Sequence, residues 1–316
     1  MTLYTWLRYN LFTMTAYTQV SANKFKTWLI MFLFATFLTA VIFIFAFAWG
    51  FDYPSALSFS GFALIIAGIM NFFSYYNSDK IVMAISGAKQ IQKKDDQTLF
   101  RTIENLSIAS GLPMPKVYII DDSAPNAFAT GRDPQHAAIA FTTGILSKLS
   151  KLELEGVAAH ELSHVGNYDT RLMTIVAILV GTIALAADFF LRMSFFSRGD
   201  RDEDNGGNAI FMVLGLVMAI LAPIVATLIQ LSISRKREFL ADASSALLTR
   251  DPDSLASALL KISADKEPLE VANKATAHLY ISNPIKNQKG AITLFANLFN
   301  THPPIADRVK ALRAMQ

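Results

Sequence analysis

Apolar residues in this chain come in long uncharged blocks separated by patterned polar ground. Four blocks are long enough to cross a bilayer, which takes about 20 mostly apolar residues. Thr27 to Phe51 carries no charge, and neither does Tyr53 to Ser78, apolar at its heart from Ala56 to Phe73. Leu172 to Ala187 is uncharged, and its apolar run continues past Asp188 to Leu191. Ala209 to Ser234 is interrupted only by Pro223 and Gln230. Helices buried in a soluble core usually keep a polar face, whereas these blocks are apolar all round. They predict four transmembrane helices. Ala46-Phe47-Ala48 has the form of a signal-peptidase box. The apolar region before it is too long for a signal peptide, so the first block is expected to be a retained anchor.

Between the blocks the pattern changes period. Ile91, Leu99, Ile103, Leu106 and Ile108 recur at helical spacing, and Gly111-Leu112-Pro113 stops them. Lys116 to Ile120, Asn126 to Thr130 and Ala137 to Thr142 read as strands, with Gly131-Arg132-Asp133-Pro134 as a turn between the last two. Helices are expected over 143–168, 234–248, 252–264 and 305–315, and 265–300 has no clear pattern. Four parts follow: 1–78 with the first two spans, 79–171 as one piece of a domain, 172–234 as a hairpin of two spans, and 235–316 as the second piece.

Basic residues orient this arrangement. Arg8, Lys24 and Lys26 precede the first span, Lys80, Lys89, Lys93 and Lys94 follow the second, and Arg235-Lys236-Arg237 follow the fourth. Between the third and fourth, Arg198 and Arg201 face Asp200, Asp202, Glu203 and Asp204. The alternation puts both termini and 79–171 in the cytoplasm, and 52–54 and 194–208 on the other side of a multi-pass protein. Asp188 then lies near the far interface and reads as a hydrated acid rather than an ion path. Composition agrees: 53% apolar and 17% charged, against roughly 45–50% and 25% in ordinary globular domains. A net charge of +3 without a basic stripe gives no reason to expect nucleic acid. With no cysteine, thiolate metal sites, cysteine nucleophiles and disulfides are excluded.

The chemistry sits in His160-Glu161-Leu162-Ser163-His164. On a helix, residues i and i+4 share a face, so both imidazoles can reach one ion. Glu161 lies about 100° round the helix from His160, beside the open coordination position rather than on the metal, where it can act as general base. The bland alternative is an amphipathic helix with these residues on its wet face. A catalytic zinc takes three protein ligands, and without cysteine the third is His, Asp or Glu. Glu238 is the best candidate, with Asp242 one turn further on to hold the free N–H of a ligand histidine. Taken alone, Glu238 also reads as a surface acid pairing with Lys236 or Arg237, and Asp242 as a solvated one.

GLPMPKVYIID at 111–121, NAFATG at 126–131, GVAAHELSHVGNYD at 156–169, SRKREFLADASSA at 234–246 and THPPIADRVKAL at 301–312 together resemble the HtpX-type heat-shock membrane metalloproteases. The wider family includes the CAAX prenyl endoproteases. The resemblance implies a zincin-like α+β metallopeptidase domain on the cytoplasmic side, with a small sheet, an edge strand and an HExxH helix. It implies one Zn2+ per chain held by His160, His164 and Glu238, with Glu161 as general base. It also implies endoproteolysis of misfolded or damaged membrane proteins in the cytoplasmic membrane, as quality control under stress. Asn126, Ala127, Phe128 and Ala129 become an edge strand able to pair with a substrate peptide, although they read equally as a strand with no ligand. His302 and Arg308 become candidates to approach the site and stabilise the oxyanion. His136 and His278 read as structural or solvated.

The expected partners are therefore the lipid bilayer and membrane-protein or unfolded polypeptide substrates. Two other functions compete: an intramembrane or CAAX-type processing protease, and a non-catalytic zinc-stabilised scaffold that would need neither Glu161 nor an open coordination position.

Overall fold

In a computed structural model, residues 16–48, 51–179, 235–265, 267–269, 279–281 and 303–315 are described. The first two apolar blocks lie in helices α1 (Ala16–Ala48) and α2 (Tyr53–Tyr76), which pack along each other. Pro54 stands in the first turn of α2, where its missing N–H breaks no helical bond. The outer side of α2 is apolar: Phe62 is 63% exposed, Ile65 62%, Ile69 65% and Phe72 65%. A contiguous apolar surface of this kind is not left facing water. Among the described residues α2 is the one helix long and apolar enough to cross a membrane. The third expected span is helical over 169–179. The remainder of that span, Asp188, the 194–208 loop and the fourth span lie outside the described residues.

A short helix α3 (Ser78–Ile85) leads from α2 into a four-stranded sheet. Its strands are β1 (Lys89–Gln90), β2 (Lys116–Ile120), β3 (Ala127–Thr130) and β4 (Ala138–Thr142), in the order β1-β2-β4-β3. β2 and β4 are parallel, and the two outer pairs are antiparallel. The two-residue β1 has no pattern of its own and escapes a reading by periodicity. Asn126, expected inside β3, stands just before it, and its Oδ1 accepts the Ala127 N–H.

Every residue of β3 and β4 is buried, because the sheet is covered on both faces. Val117, Ala127, Ala129, Ile139 and Phe141 point into one apolar core with Leu99, Val157, Leu162 and Leu259. Tyr118, Ile120, Phe128, Ala138 and Ala140 point into a second, with Ile30 and Met31 of α1 and Leu172 to Leu179. Strands buried on both sides read as continuous apolar runs rather than as alternation.

Helix α4 (Gln97–Ser110) is capped by Asp96, whose side chain accepts the Leu99 N–H at 2.9 Å. It ends at Gly111, whose φ of 69° suits a residue without Cβ. The helix expected over 143–168 is two: α5 (Thr143–Lys148) and α6 (Lys151–Gly166). The break is a capping box. Ser150 receives the Glu153 N–H, and the Glu153 carboxylate receives the Ser150 N–H at 2.7 Å, satisfying donors that a continuous helix would not free. Next come α7 (169–179), α8 (Arg235–Thr249), α9 (Pro252–Ala264) and α10 (Ile305–Arg313). α4, α8 and α9 pack around α6. Gly156 permits this: a Cβ there would lie 3.0–3.2 Å from the Leu255 backbone and side chain.

Candidate metal centre

Helix α6 is not an amphipathic helix with a wet face. His160, Glu161 and His164 are 1%, 3% and 5% exposed, so each must find polar partners inside the protein. Glu238, on the first turn of α8, is brought against them. One ligand atom from each of His160, His164 and Glu238 lies within 4.8 Å of the others. The two Nε2 atoms are 3.2 Å apart. Glu238 oxygens lie 3.8 Å from His160 Nε2 and 3.5 Å from His164 Nε2.

The outer nitrogens decide what the inner ones can do. His160 Nδ1 is 3.0 Å from Asp242 Oδ1, and His164 Nδ1 is 3.0 Å from Asp169 Oδ2. An ionised carboxylate can only accept, so each Nδ1 carries the proton and donates it. Both Nε2 lone pairs are thereby turned inward towards the Glu238 carboxylate. Three convergent electron-pair donors, two imidazole and one carboxylate, fit a divalent cation and match a catalytic metal site.

Asp242 is fully buried. Burial alone would raise its pKa, but hydrogen bonds from His160 and Arg308, with their charges, hold it at about 2. Arg308 grips it with two donors, Nε to Oδ2 at 2.9 Å and a terminal nitrogen to Oδ1 at 2.6 Å. The other terminal nitrogen is 3.6 Å from Glu238 Oε2. Arg308, expected to approach the site, lies against it with two of its donors on Asp242. Burial would lower its pKa, and Asp242, Glu238 and Glu161 raise it. His164 is likewise pulled two ways: burial lowers its pKa, and the Asp169 hydrogen bond with the charges of Glu238, Asp169 and Glu161 push it up to about 9, so a cation bound at its Nε2 has to displace a proton there.

Asp169 is the residue that pattern reading passed over. It follows Tyr168, whose φ of 59° swings the chain back so that the carboxylate faces the preceding helix. The available signal was an acid five residues beyond the second histidine, past a helix end. Arg237, one of the basic residues that follow the fourth apolar block, is 3% exposed and 3.3 Å from Asp169. His136 is half exposed and pairs with Asp133 at 2.6 Å. His302 and His278 lie outside the described residues.

Ala129, His160, Glu161, His164, Thr170, Met173, Leu279 and Ile281 line a cavity of about 10 Å³, room for roughly one water. The outer edge of β3 is already paired: Ile281 N–H donates to Ala127 C=O at 3.0 Å, and Tyr280 packs edge-on to Phe128.

Residues 93–316 match the family described as Peptidase family M48. A protein of Dictyoglomus thermophilum named Protease HtpX homolog is 44% identical over 305 residues, 95% of this chain and 95% of that one. One of the same name from Tropheryma whipplei is 44% identical over 303 residues, 95% of this chain and 98% of its own length. The crystal structure of S. mikatae Ste24p aligns at TM-score 0.47 and 17% identity, covering 93% of this chain and 66% of that one, a likeness too loose to bear on the fold.

Proposed function

Because the chain belongs to peptidase family M48 and is a metalloprotease, we propose that it is a zinc-dependent endopeptidase of the cytoplasmic membrane that cuts misfolded or damaged membrane proteins on the cytoplasmic side. The observation that carries the reading is the convergence of His160, His164 and Glu238 on one point, with Glu161 lining the same cavity. Two imidazole nitrogens and a carboxylate are the donors zinc favours. Zinc held there supplies Lewis acidity to a peptide carbonyl and to water.

Glu161 takes the proton of the attacking water at its carboxylate and returns it to the leaving nitrogen. Asp242 and Asp169 hold the histidine tautomers that leave both Nε2 atoms free to bind. Arg308 acts through Asp242 as a positioning group. The exposed apolar surface of α2 supports the membrane assignment, and the alternating basic ends support the cytoplasmic side.

Asn126 to Ala129 is the proposed substrate edge. A peptide in extended form would take the hydrogen bond to Ala127 that Ile281 now makes, so the 279–281 segment must first withdraw. An Ile281→Pro variant lacks that N–H and should cleave several-fold faster at low substrate; slower cleavage by a folded variant would count against the edge.

The central test is Glu161→Gln. Cleavage of an unfolded membrane substrate in detergent should fall by about 10²–10⁴-fold, the usual worth of a general base, while zinc content stays at one per chain. Cleavage at the unaltered rate would refute the mechanism.

A further inference from the structure

Helix α1 lies outside the 93–316 stretch matched to the peptidase family, yet one of its residues reaches the metal centre. Asn23 is fully buried. Its amide nitrogen donates to the Asn167 carbonyl at 3.0 Å and to Asp169 Oδ1 at 2.7 Å. Its amide oxygen accepts from Arg237 at 3.2 Å. The Thr27 hydroxyl donates to the Asn23 carbonyl at 2.8 Å. Asn167 is the cap at the C-terminal end of α6, and Asp169 is the carboxylate that receives His164 Nδ1.

The two oxygens of Asp169 therefore have separate tasks. Oδ2 holds the ligand histidine, and Oδ1 is pinned by the Asn23 amide together with Arg237. An aspartate fixed at one oxygen cannot turn the other away from its histidine. A buried primary amide is costly unless its donors and acceptor are met, and here both ends of Asn23 are met by groups of the metal site. Ile30 and Met31, further along α1, bury apolar surface instead.

Resting on the zinc reading above, we propose that Asn23 is a positioning residue of the metal centre. It fixes Asp169, Asp169 fixes His164, and the N-terminal helix α1 is thereby part of the metal site. Removing a group that orients a metal-bound histidine typically weakens metal binding by about 10–100-fold. Asn23 acts one step further out, so the lower end applies.

The experiment uses the full chain in detergent. Zinc affinity is measured by chelator competition, and the visible absorption of the Co2+-substituted protein reports ligand geometry. Asn23→Ala removes both contacts. Asn23→Asp keeps the shape but turns the donor into an oxygen facing Asp169. Each should weaken zinc about tenfold and change the cobalt bands. Met31→Ala, buried on the same helix, should lower thermal stability while leaving affinity and bands unchanged. The proposal is overturned if the Asn23 variants bind zinc like the parent, if Met31→Ala weakens zinc equally, or if neither Asn23 variant folds, since Asn23 then serves packing. A parent chain that binds no zinc defeats the metal reading itself; a parent with one zinc and unaffected Asn23 variants defeats only this inference.

Discussion

The two histidines of the site are four residues apart on one helix, yet opposite ends of the chain support them. His160 is backed by Asp242 of α8, and Asp242 by Arg308 of α10. His164 is backed by Asp169, just past α6, and Asp169 by Arg237 of α8 and Asn23 of α1. Each support is an imidazole, a carboxylate and an arginine in series. They differ in closure. The Asp242–Arg308 pair is a two-donor fork with both residues fully buried. On the other side Arg237 touches Asp169 at 3.3 Å and shares itself with Asn23. The first support is a pair of charges that stand or fall together; the second is a network with a neutral member that can absorb a loss.

That difference sets the order of effects. Asp242→Asn should do the most damage. It takes from the fully buried Arg308 the carboxylate that receives two of its donors, which costs about 3–5 kcal/mol, and it weakens zinc by about 10–100-fold. Asp169→Asn should weaken zinc within the same range but cost only about 1–2 kcal/mol of stability, because Arg237 keeps the Asn23 oxygen as a partner. Thermal unfolding and zinc competition on the two variants check this. Equal destabilisation would mean that the two supports do not differ as described.

A smaller effect belongs to the support both histidines share, the start of α6. There Glu153 receives Ser150 N–H, Ser257 Oγ at 2.6 Å and Lys261 Nζ at 2.7 Å. Burial works against its ionised form, and these partners outweigh it, bringing the pKa to about 2. A carboxyl depressed in the folded state stabilises above its unfolded pKa of about 4.3. That contribution is lost as pH falls from there towards about 2. Because Lys261 is half exposed, solvent screening limits the gain to about 1 kcal/mol. Parent and Glu153→Gln should therefore differ in melting temperature at pH 7 and converge by about pH 2. A gap that persists in acid would assign the effect to packing rather than charge.

Legibility in the sequence followed distance along the chain. His160, Glu161 and His164 are readable because helical spacing alone puts them together, and Glu238 with Asp242 for the same reason. The Ser150 to Glu153 box is equally local, yet the helical pattern over 143–168 runs straight through it. Asp169 depends on a left-handed turn at Tyr168, a conformation no pattern announces for a tyrosine. Asn23 is 146 residues from the carboxylate it pins, and nothing near it in the chain hints at a metal.

By itself, then, the sequence determined the His160–Glu161–His164 cluster, the Glu238–Asp242 pair and the apolar blocks, because helix periodicity and hydrophobic length are local properties of the chain. Only the tertiary structure decided which carboxylate each imidazole meets, that Arg308 closes on Asp242, and that an N-terminal helix reaches the centre. Those outcomes depend on which buried polar groups are brought within hydrogen-bond distance, and that is settled when the two apolar cores close on either face of the sheet.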